Sequence, residues 1–395
     1  MHHFSQIYNN FPKYQDNQNR IEINQKDLVN FNKNFLKIRN KFEKKNACVI
    51  EVIQKSIEIC YLLHGKIFYK LIKQTDEKQL IKFFKNIESV SINNLKNTFD
   101  FYLNSTHFKD RNNKDYKNLK KKNYYKGKLS DKTLQLILDN SKKYIPILFD
   151  KSNKGLNKRS DLTVTDPGFN KIISKILNQE FKKNGTLTNL KSFFGYEMIV
   201  TGAALELSST KSNWWKKNNL SKMENNLTSY IHTDESVSVP KSIIYLSDVN
   251  EDNGPLTLYP GVMKKMGIYN NPFANLIGGT MYQVANMNKK FYKFNGLQPM
   301  SSKKFEKHFM QIPSSIRLSS HFGWDIKNNS KLEKLIEVSK KTILGKKGSF
   351  TIFDGYSLLH RGGILKKNYR IALQVNFRKK LSKLQYLKTL LKKLK

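Results

Sequence analysis

Two side chains suited to a transition metal stand two residues apart in residues 230–236 (YIHTDES): His232 and Asp234. The context is strand-like, and successive side chains of a strand alternate faces, so positions i and i+2 can reach one ion. An imidazole and a carboxylate fill two corners of a facial triad, the donor set that leaves other positions on iron open for a co-substrate and oxygen. A pair of this kind also occurs as a solvated surface feature, because polar and charged residues are mostly exposed. A third ligand must therefore come from elsewhere.

The candidate is His360, in residues 348–363 (GSFTIFDGYSLLHRGG): a β-prone run, a turn at Asp354-Gly355, and then the imidazole. Ten residues on, Arg370 opens the alternating run RIALQVNF. In a strand, Arg370, Ala372 and Gln374 share one face, while Ile371, Leu373, Val375 and Phe377 share the other. A guanidinium on the small, polar face can take a buried carboxylate through two parallel hydrogen bonds.

Taken in order, HTD, YLSDVNEDNGPLTLYPG, FDGYSLLHRGG and Arg370 resemble the phytanoyl-CoA dioxygenase-like family of Fe(II)/2-oxoglutarate-dependent oxygenases, over roughly residues 190–380. In the middle block, the turn Asn253-Gly254-Pro255, an alternating strand and Pro260-Gly261 match the family's strand pair after the metal motif. The resemblance implies an α+β chain with a double-stranded β-helix core, jelly-roll and cupin-like. It implies that His232, Asp234 and His360 are catalytic ligands of Fe(II), and that Arg370 partners the far carboxylate of 2-oxoglutarate. Thr257 is a second donor to the co-substrate or a simple strand hydroxyl. The implied reaction hydroxylates an unactivated carbon of a small or carrier-linked metabolite, consuming O2 and 2-oxoglutarate and releasing succinate and CO2. The rival class is a non-catalytic jelly-roll binding or scaffolding protein, against which the intact ligand set argues.

The elements that must position these residues show a change of texture along the chain. Apolar residues recur at three- and four-residue steps over about residues 26–104, and residues 133–148 read as a further helix. Residues 117–128 and 150–168 read as polar loops rich in Lys and Gly. From about Phe193 come short β-prone runs: YEMIVTGAALEL, SIIYLSDV, PLTLYPG, GSFTIFDG and YRIALQVNF. The expected organisation is a mainly helical region 1–185, an oxygenase domain 186–380 with an insert at about 262–345, and a basic amphipathic tail 381–395. The insert is too long for a passive connection and suits a lid or recognition element. His308 and His321 lie in it with no partner at metal spacing, and Trp214 and Trp215 precede the HTD strand as pocket or packing residues.

A net charge of +40 would ordinarily point to nucleic acid or an anionic surface. Of the 71 basic residues only eight are Arg, and the many Lys accompany abundant Asn, Ile, Phe and Tyr, the mark of A/T-rich codons. Scarcity of the planar fork used on bases and phosphates argues against nucleic acid. The tail, with Leu381, Leu384, Leu387, Leu391 and Leu394 on one side, suits docking on the protein's own helices, or contact with an anionic membrane or acidic partner. Cys48 and Cys60 share one apolar helical stretch and read as free thiols. With neither an apolar leader nor an uncharged stretch of about 18 residues, a cytoplasmic setting is the expectation.

Overall fold

The structure, a computed structural model, describes residues 114–156, 159–211, 231–234, 239–262, 331–363 and 365–381. The helical stretch expected at 26–104, both cysteines, Trp214 and Trp215, His308 and His321, most of the 262–345 insert and the tail beyond 381 lie outside them. The chain divides into two compact units. One is Phe99–Lys216 with Ser238–Pro260 and Lys340–Lys395, and the other is Met1–Thr98 with Lys217–Val237 and Gly261–Ser339.

In the first unit, the five runs with strand texture form β3 (Met198–Ser209), β4 (Lys241–Tyr245), β5 (Leu256–Tyr259), β7 (Ser349–Phe353) and β9 (Tyr369–Lys379). They are joined by β1 (Tyr124–Lys128), β2 (Thr163–Val164), β6 (Lys341–Ile343) and β8 (Leu359–Arg361). A six-stranded sheet has the order β1-β7-β4-β9-β3-β2, and a three-stranded sheet the order β6-β5-β8. Every pairing between these strands is antiparallel.

Two stretches expected as loops are structured. Residues 117–128 form helix α1 (Lys114–Lys122) and strand β1, which pairs with β7 from Tyr124↔Phe353 to Lys128↔Ser349. Gly127 is glycine because the Phe350 ring lies against its backbone: an added Cβ would come 2.3 Å from that ring. The stretch 150–168 begins in helix α3 (Ile145–Asn153), continues through a 3-10 turn and β2, and ends in helix α4 (Pro167–Lys183). Its Asp-Pro-Gly sequence is a helix start: Asp166 caps by accepting from the N–H of Phe169 at 2.7 Å, and Pro167 occupies the first turn. The single helix expected at 133–148 is two, α2 (Asp131–Ser141) and α3, separated at residues 142–144.

Helix α5 (Thr186–Phe194) completes the helical layer. Ile137, Ile173, Leu177, Phe181, Leu190 and Phe194 pack on Leu205, Leu207, Ile244, Phe350, Ile352, Leu373, Val375 and Phe377 of the large sheet. Each fully buried side chain of this size contributes about 1.5–3 kcal/mol relative to exposure. Helices α4 and α5, on either side of residue 185, both pack their apolar stripes on this sheet. The opposite face of the large sheet carries Tyr245, Phe353 and Ala372, which cluster with Leu256, Leu258, Ile343 and Leu358 of the smaller sheet and its connection. Tyr245 also ties the two sheets polarly: its hydroxyl donates to the carbonyl of Ile343 at 2.7 Å and accepts from the N–H of Leu256 at 3.1 Å. Burial pushes this phenol above its ordinary pKa, outweighing the opposing charge of Arg370 and the Leu256 hydrogen bond, so it remains a donor.

In the second unit the described residues are 231–234, 261–262 and 331–339, which include helix α6 (Lys331–Glu337). Among the described residues no helix is long and apolar enough to cross a membrane.

A buried carboxylate fixes α2 against α4. Glu180 accepts from the N–H and hydroxyl of Ser130, the α2 cap, both at 2.9 Å, and from the Thr133 hydroxyl at 2.7 Å. Burial pushes its carboxyl up, but these hydrogen bonds and the charge of Lys183 together hold it below the ordinary value. A depressed folded-state pKa gives stability that is present above the unfolded value and lost as pH falls through the folded one. Glu180→Gln is expected to cost about 1.5–3 kcal/mol near neutrality, the range for hydrogen bonds to a charged group. The cost shrinks as the parent's carboxylate protonates. Urea unfolding at neutral and acidic pH checks this, and superimposable pH profiles would contradict it.

Candidate metal centre

His360 is set by its strand and by the turn before it. In that turn the N–H of Ser357 donates to the Asp354 carbonyl at 3.2 Å, and the Ser357 hydroxyl to the Asp354 carboxylate at 2.5 Å. The turn is pinned by Asn123, which has a left-handed φ of 60°. Its carbonyl accepts from the N–H of Asp354 at 2.9 Å and its amide donates to the Ser357 carbonyl at 3.3 Å. Strand β8 then pairs with β5 so that His360 stands opposite Leu258. Residues directly opposite in an antiparallel pair share a face. The imidazole therefore lies on the side of Leu258 and Leu358, with the Phe353 ring edge-on at 4.9 Å.

The ring nitrogen Nδ1 lies 2.9 Å from the carbonyl of Leu358. A carbonyl can only accept, so Nδ1 carries the proton of the neutral ring and Nε2 the lone pair. This is the arrangement by which a backbone carbonyl orients a metal-binding histidine.

His232 occupies an isolated β-bridge, and all of residues 231–234 are buried, with His232 and Asp234 each 2% exposed. One ligand atom from each of His232, Asp234 and His360 lies within 4.8 Å of the others. Donors that bind one ion do so at roughly 2.0–2.2 Å, and these three residues could hold one. The donor chemistry fits iron: two imidazoles and one carboxylate, with no thiolate. Burial without an ion would leave a carboxylate desolvated, which a bound cation offsets.

Arg370, on β9, is 9% exposed. Its Nη1 donates to the carbonyl of Gly254, its Nη2 to Ser208 Oγ at 3.2 Å, and its buried Nε has no hydrogen-bond partner. Among the described residues no carboxylate pairs with it. The alternation expected for this strand is present: Ile371, Leu373, Val375 and Phe377 join the helix-facing core, and Ala372 joins the cluster between the sheets.

Thr257 is placed differently. It pairs with Arg361, one step out of phase with the Leu258↔His360 pair, so its hydroxyl leaves the opposite face of the small sheet from His360. This placement suits a strand hydroxyl and not a donor on the His360 side.

Sequence alone does not single out Tyr245 or Ser208, whose partners come from other strands and leave no spacing signal, and it marks Gly254 only as a turn residue. The pair Gly362-Gly363 does carry a signal. A Cβ on Gly363 would sit 2.0 Å from the Gly254 carbonyl oxygen, the atom that receives Arg370 Nη1. Gly254 itself has φ +76°, where a side chain is strained. Gly363→Ala is expected to lower stability by roughly 1–3 kcal/mol or more, because the obstacle is backbone and cannot rotate away. An unchanged thermal midpoint would show that the two segments approach less closely.

No family model matches the chain, and no curated protein matches it. Among solved structures the chain is similar to AviO1 from Streptomyces viridochromogenes Tue57, at TM-score 0.35 and 10% identity, over 68% of this chain and 95% of that one. It is similar to EctD from S. alaskensis with bound Fe, at TM-score 0.36 and 12% identity, over 69% and 80% of the two chains. It is also similar to the epimerase SnoN in complex with Fe3+, alpha ketoglutarate and nogalamycin RO, at TM-score 0.32 and 10% identity, over 67% and 82%. These neighbours include non-heme, alpha-ketoglutarate-dependent enzymes, and the likeness is too low to carry an inference about this chain.

Proposed function

We propose that the chain is an Fe(II)- and 2-oxoglutarate-dependent oxygenase of the phytanoyl-CoA dioxygenase-like type, built on a double-stranded β-helix. It hydroxylates an unactivated carbon of a small or carrier-linked metabolite, with release of succinate and CO2. The observation that carries this reading is the buried group His232, Asp234 and His360, whose ligand atoms lie within 4.8 Å of one another. A two-histidine, one-carboxylate set is the donor combination of oxygenases that keep open positions on iron.

Bound iron with its keto-acid co-substrate supplies the oxidising chemistry, and the protein supplies position and environment. His232, Asp234 and His360 would hold the ion. The Leu358 carbonyl fixes the His360 ring with Nε2 as the donor atom. Arg370 offers a buried positive charge to the co-substrate's far carboxylate, which answers the absence of a carboxylate partner for it among the described residues. Leu256, Leu258, Phe353 and Leu358 keep the His360 side apolar, which strengthens these charge interactions and excludes water.

The direct test is turnover. With Fe(II), ascorbate and 2-oxoglutarate, the protein is expected to form succinate above a protein-free control, and faster when a metabolite extract is added. Succinate at the control level with and without extract would contradict the proposal.

A further inference from the structure

We infer that Asn376 is a specificity-determining residue, and that the substrate is a polar molecule which donates a hydrogen bond to it from a hydroxyl, amine or amide group. The inference rests on the oxygenase reading above and names the class of molecule which that reading leaves open.

Register places Asn376 on the His360 side of the large sheet. Phe353 stands opposite Lys241, Lys241 opposite Asn376, and Asn376 opposite Gly202 on β3. Residues paired in this way share a face. It is the face turned away from the helices: Val375 and Phe377, the neighbours of Asn376 along β9, belong to the helix-facing core, while Phe353 belongs to the cluster between the sheets. The Phe353 ring lies 4.9 Å from that of His360, so the row begins beside a candidate metal ligand.

The backbone opposite Asn376 is shaped to leave room. Strand β3 carries a bulge between Val200 and Gly202, and two asparagines of α4 hold it from the helix side. Asn178 accepts from the N–H of Val200 at 2.9 Å and donates to its carbonyl at 3.0 Å, and Asn170 accepts from the N–H of Ala203 at 3.0 Å. Bulges recur beside active sites, where they re-aim a side chain. On the other side of this one, a Cβ added to Gly202 would meet nothing nearer than the Asn376 amide nitrogen at 3.8 Å, so packing does not require glycine there. Gly202, Ala204, Lys241 and Asn376 are half-buried, whereas Ser208, Tyr245, Ala372 and Arg370 on the same face are buried. This end of the face is the one a molecule from solution reaches.

The amides of Asn170 and Asn178 are spent on the bulge, but Asn376 Oδ1 is buried with no hydrogen-bond partner among the described residues. Asparagine is disfavoured in strands, so strand propensity does not account for it. An amide oxygen only accepts, and its missing partner is therefore a donor. A hydrocarbon chain laid along this row would seal the oxygen away unmet, whereas a substrate hydroxyl or N–H satisfies it.

The experiment measures succinate formation at saturating Fe(II) and 2-oxoglutarate with two probes, the aqueous-methanol and the chloroform fractions of a metabolite extract. The aqueous fraction is expected to accelerate the parent, and the chloroform fraction to have no effect. Asn376→Leu, of similar size but without an acceptor, is expected to need about tenfold more of the aqueous fraction for half-maximal acceleration. Asn376→Asp keeps an acceptor oxygen and needs about as much as the parent. Fe(II) and 2-oxoglutarate affinities, measured anaerobically, are the same in both variants, and the aqueous fraction raises the thermal midpoint of the loaded parent more than that of Asn376→Leu. Acceleration by the chloroform fraction, or by neither, in a parent that forms succinate overturns the polar class and leaves the oxygenase reading standing. Asn376→Leu responding as the parent does, or Asn376→Asp failing as Asn376→Leu does, overturns the assignment of Asn376. Fe(II) or 2-oxoglutarate affinity falling in Asn376→Leu marks a purely structural role and also overturns it. A parent that forms no succinate with either fraction overturns the oxygenase reading, and this inference with it.

Discussion

Replacing His360 by Ala is expected to abolish stoichiometric Fe(II) binding and, with it, succinate formation, while the fold persists. The ring supplies one of three protein ligands, and the Leu358 carbonyl at Nδ1 leaves Nε2 as its metal-binding atom. Loss of an outer partner of a metal ligand costs roughly 10–100-fold in affinity or activity, and loss of the ligand itself must exceed that. His232→Ala is expected to do the same. The accompanying change in stability stays near the roughly 1 kcal/mol typical of single substitutions, because the Leu258, Leu358 and Phe353 packing remains. Metal analysis of the anaerobically loaded variants checks this, together with thermal unfolding without metal. Iron retained one-to-one in both variants would show that these histidines are not the ligands.

Arg370→Ala is expected to raise the 2-oxoglutarate requirement by roughly 100-fold or more, since removing one member of a buried charge pair costs about 3–5 kcal/mol and 1.4 kcal/mol is already tenfold. Iron binding is left nearly intact. The structure adds a second consequence that the ligand role alone does not imply. Arg370 also donates to the Gly254 carbonyl and to Ser208, so truncation strips acceptors in the seam where Gly363 meets Gly254. A stability loss of about 1–3 kcal/mol therefore accompanies the loss of affinity. Lys keeps the charge but has no planar fork to hold Gly254, Ser208 and a carboxylate together, so Arg370→Lys recovers only part of either effect. Co-substrate titration and urea unfolding of the two variants separate the roles. Parental affinity in Arg370→Ala would place the anchor elsewhere.

What could be read from the sequence, and what could not, follows physical lines. In β9, polar and apolar residues alternate cleanly, so which side chains face the helices and which face the small sheet was legible residue by residue. The types and spacing of His232, Asp234 and His360 were legible because few chemistries use that set. Strand β5 was harder: all four of its residues are buried, so polarity does not distinguish its faces, and Thr257 could not be assigned to one. Its pairing with Arg361 decides the matter. The first strand was hidden because its partner is β7, far along the chain, and because Lys126, Gly127 and Lys128 imitate a loop. The Asp166-Pro167 start of α4 was present as a capping signal, yet the Gly and Lys around it suggested a loop. Tyr245 and Ser208 act across strands, so only the folded arrangement reveals them.

The central claim is that this chain holds iron through His232, Asp234 and His360 and presents it to a keto-acid co-substrate. Its most direct measurement is anaerobic addition of Fe(II) and then 2-oxoglutarate to the unmodified protein, following metal content and visible absorption together. The expected result is one iron per chain and a charge-transfer band that appears only when both are present and is missing in His360→Ala. Failure to retain iron, or iron retained with no band at saturating 2-oxoglutarate, would contradict the account.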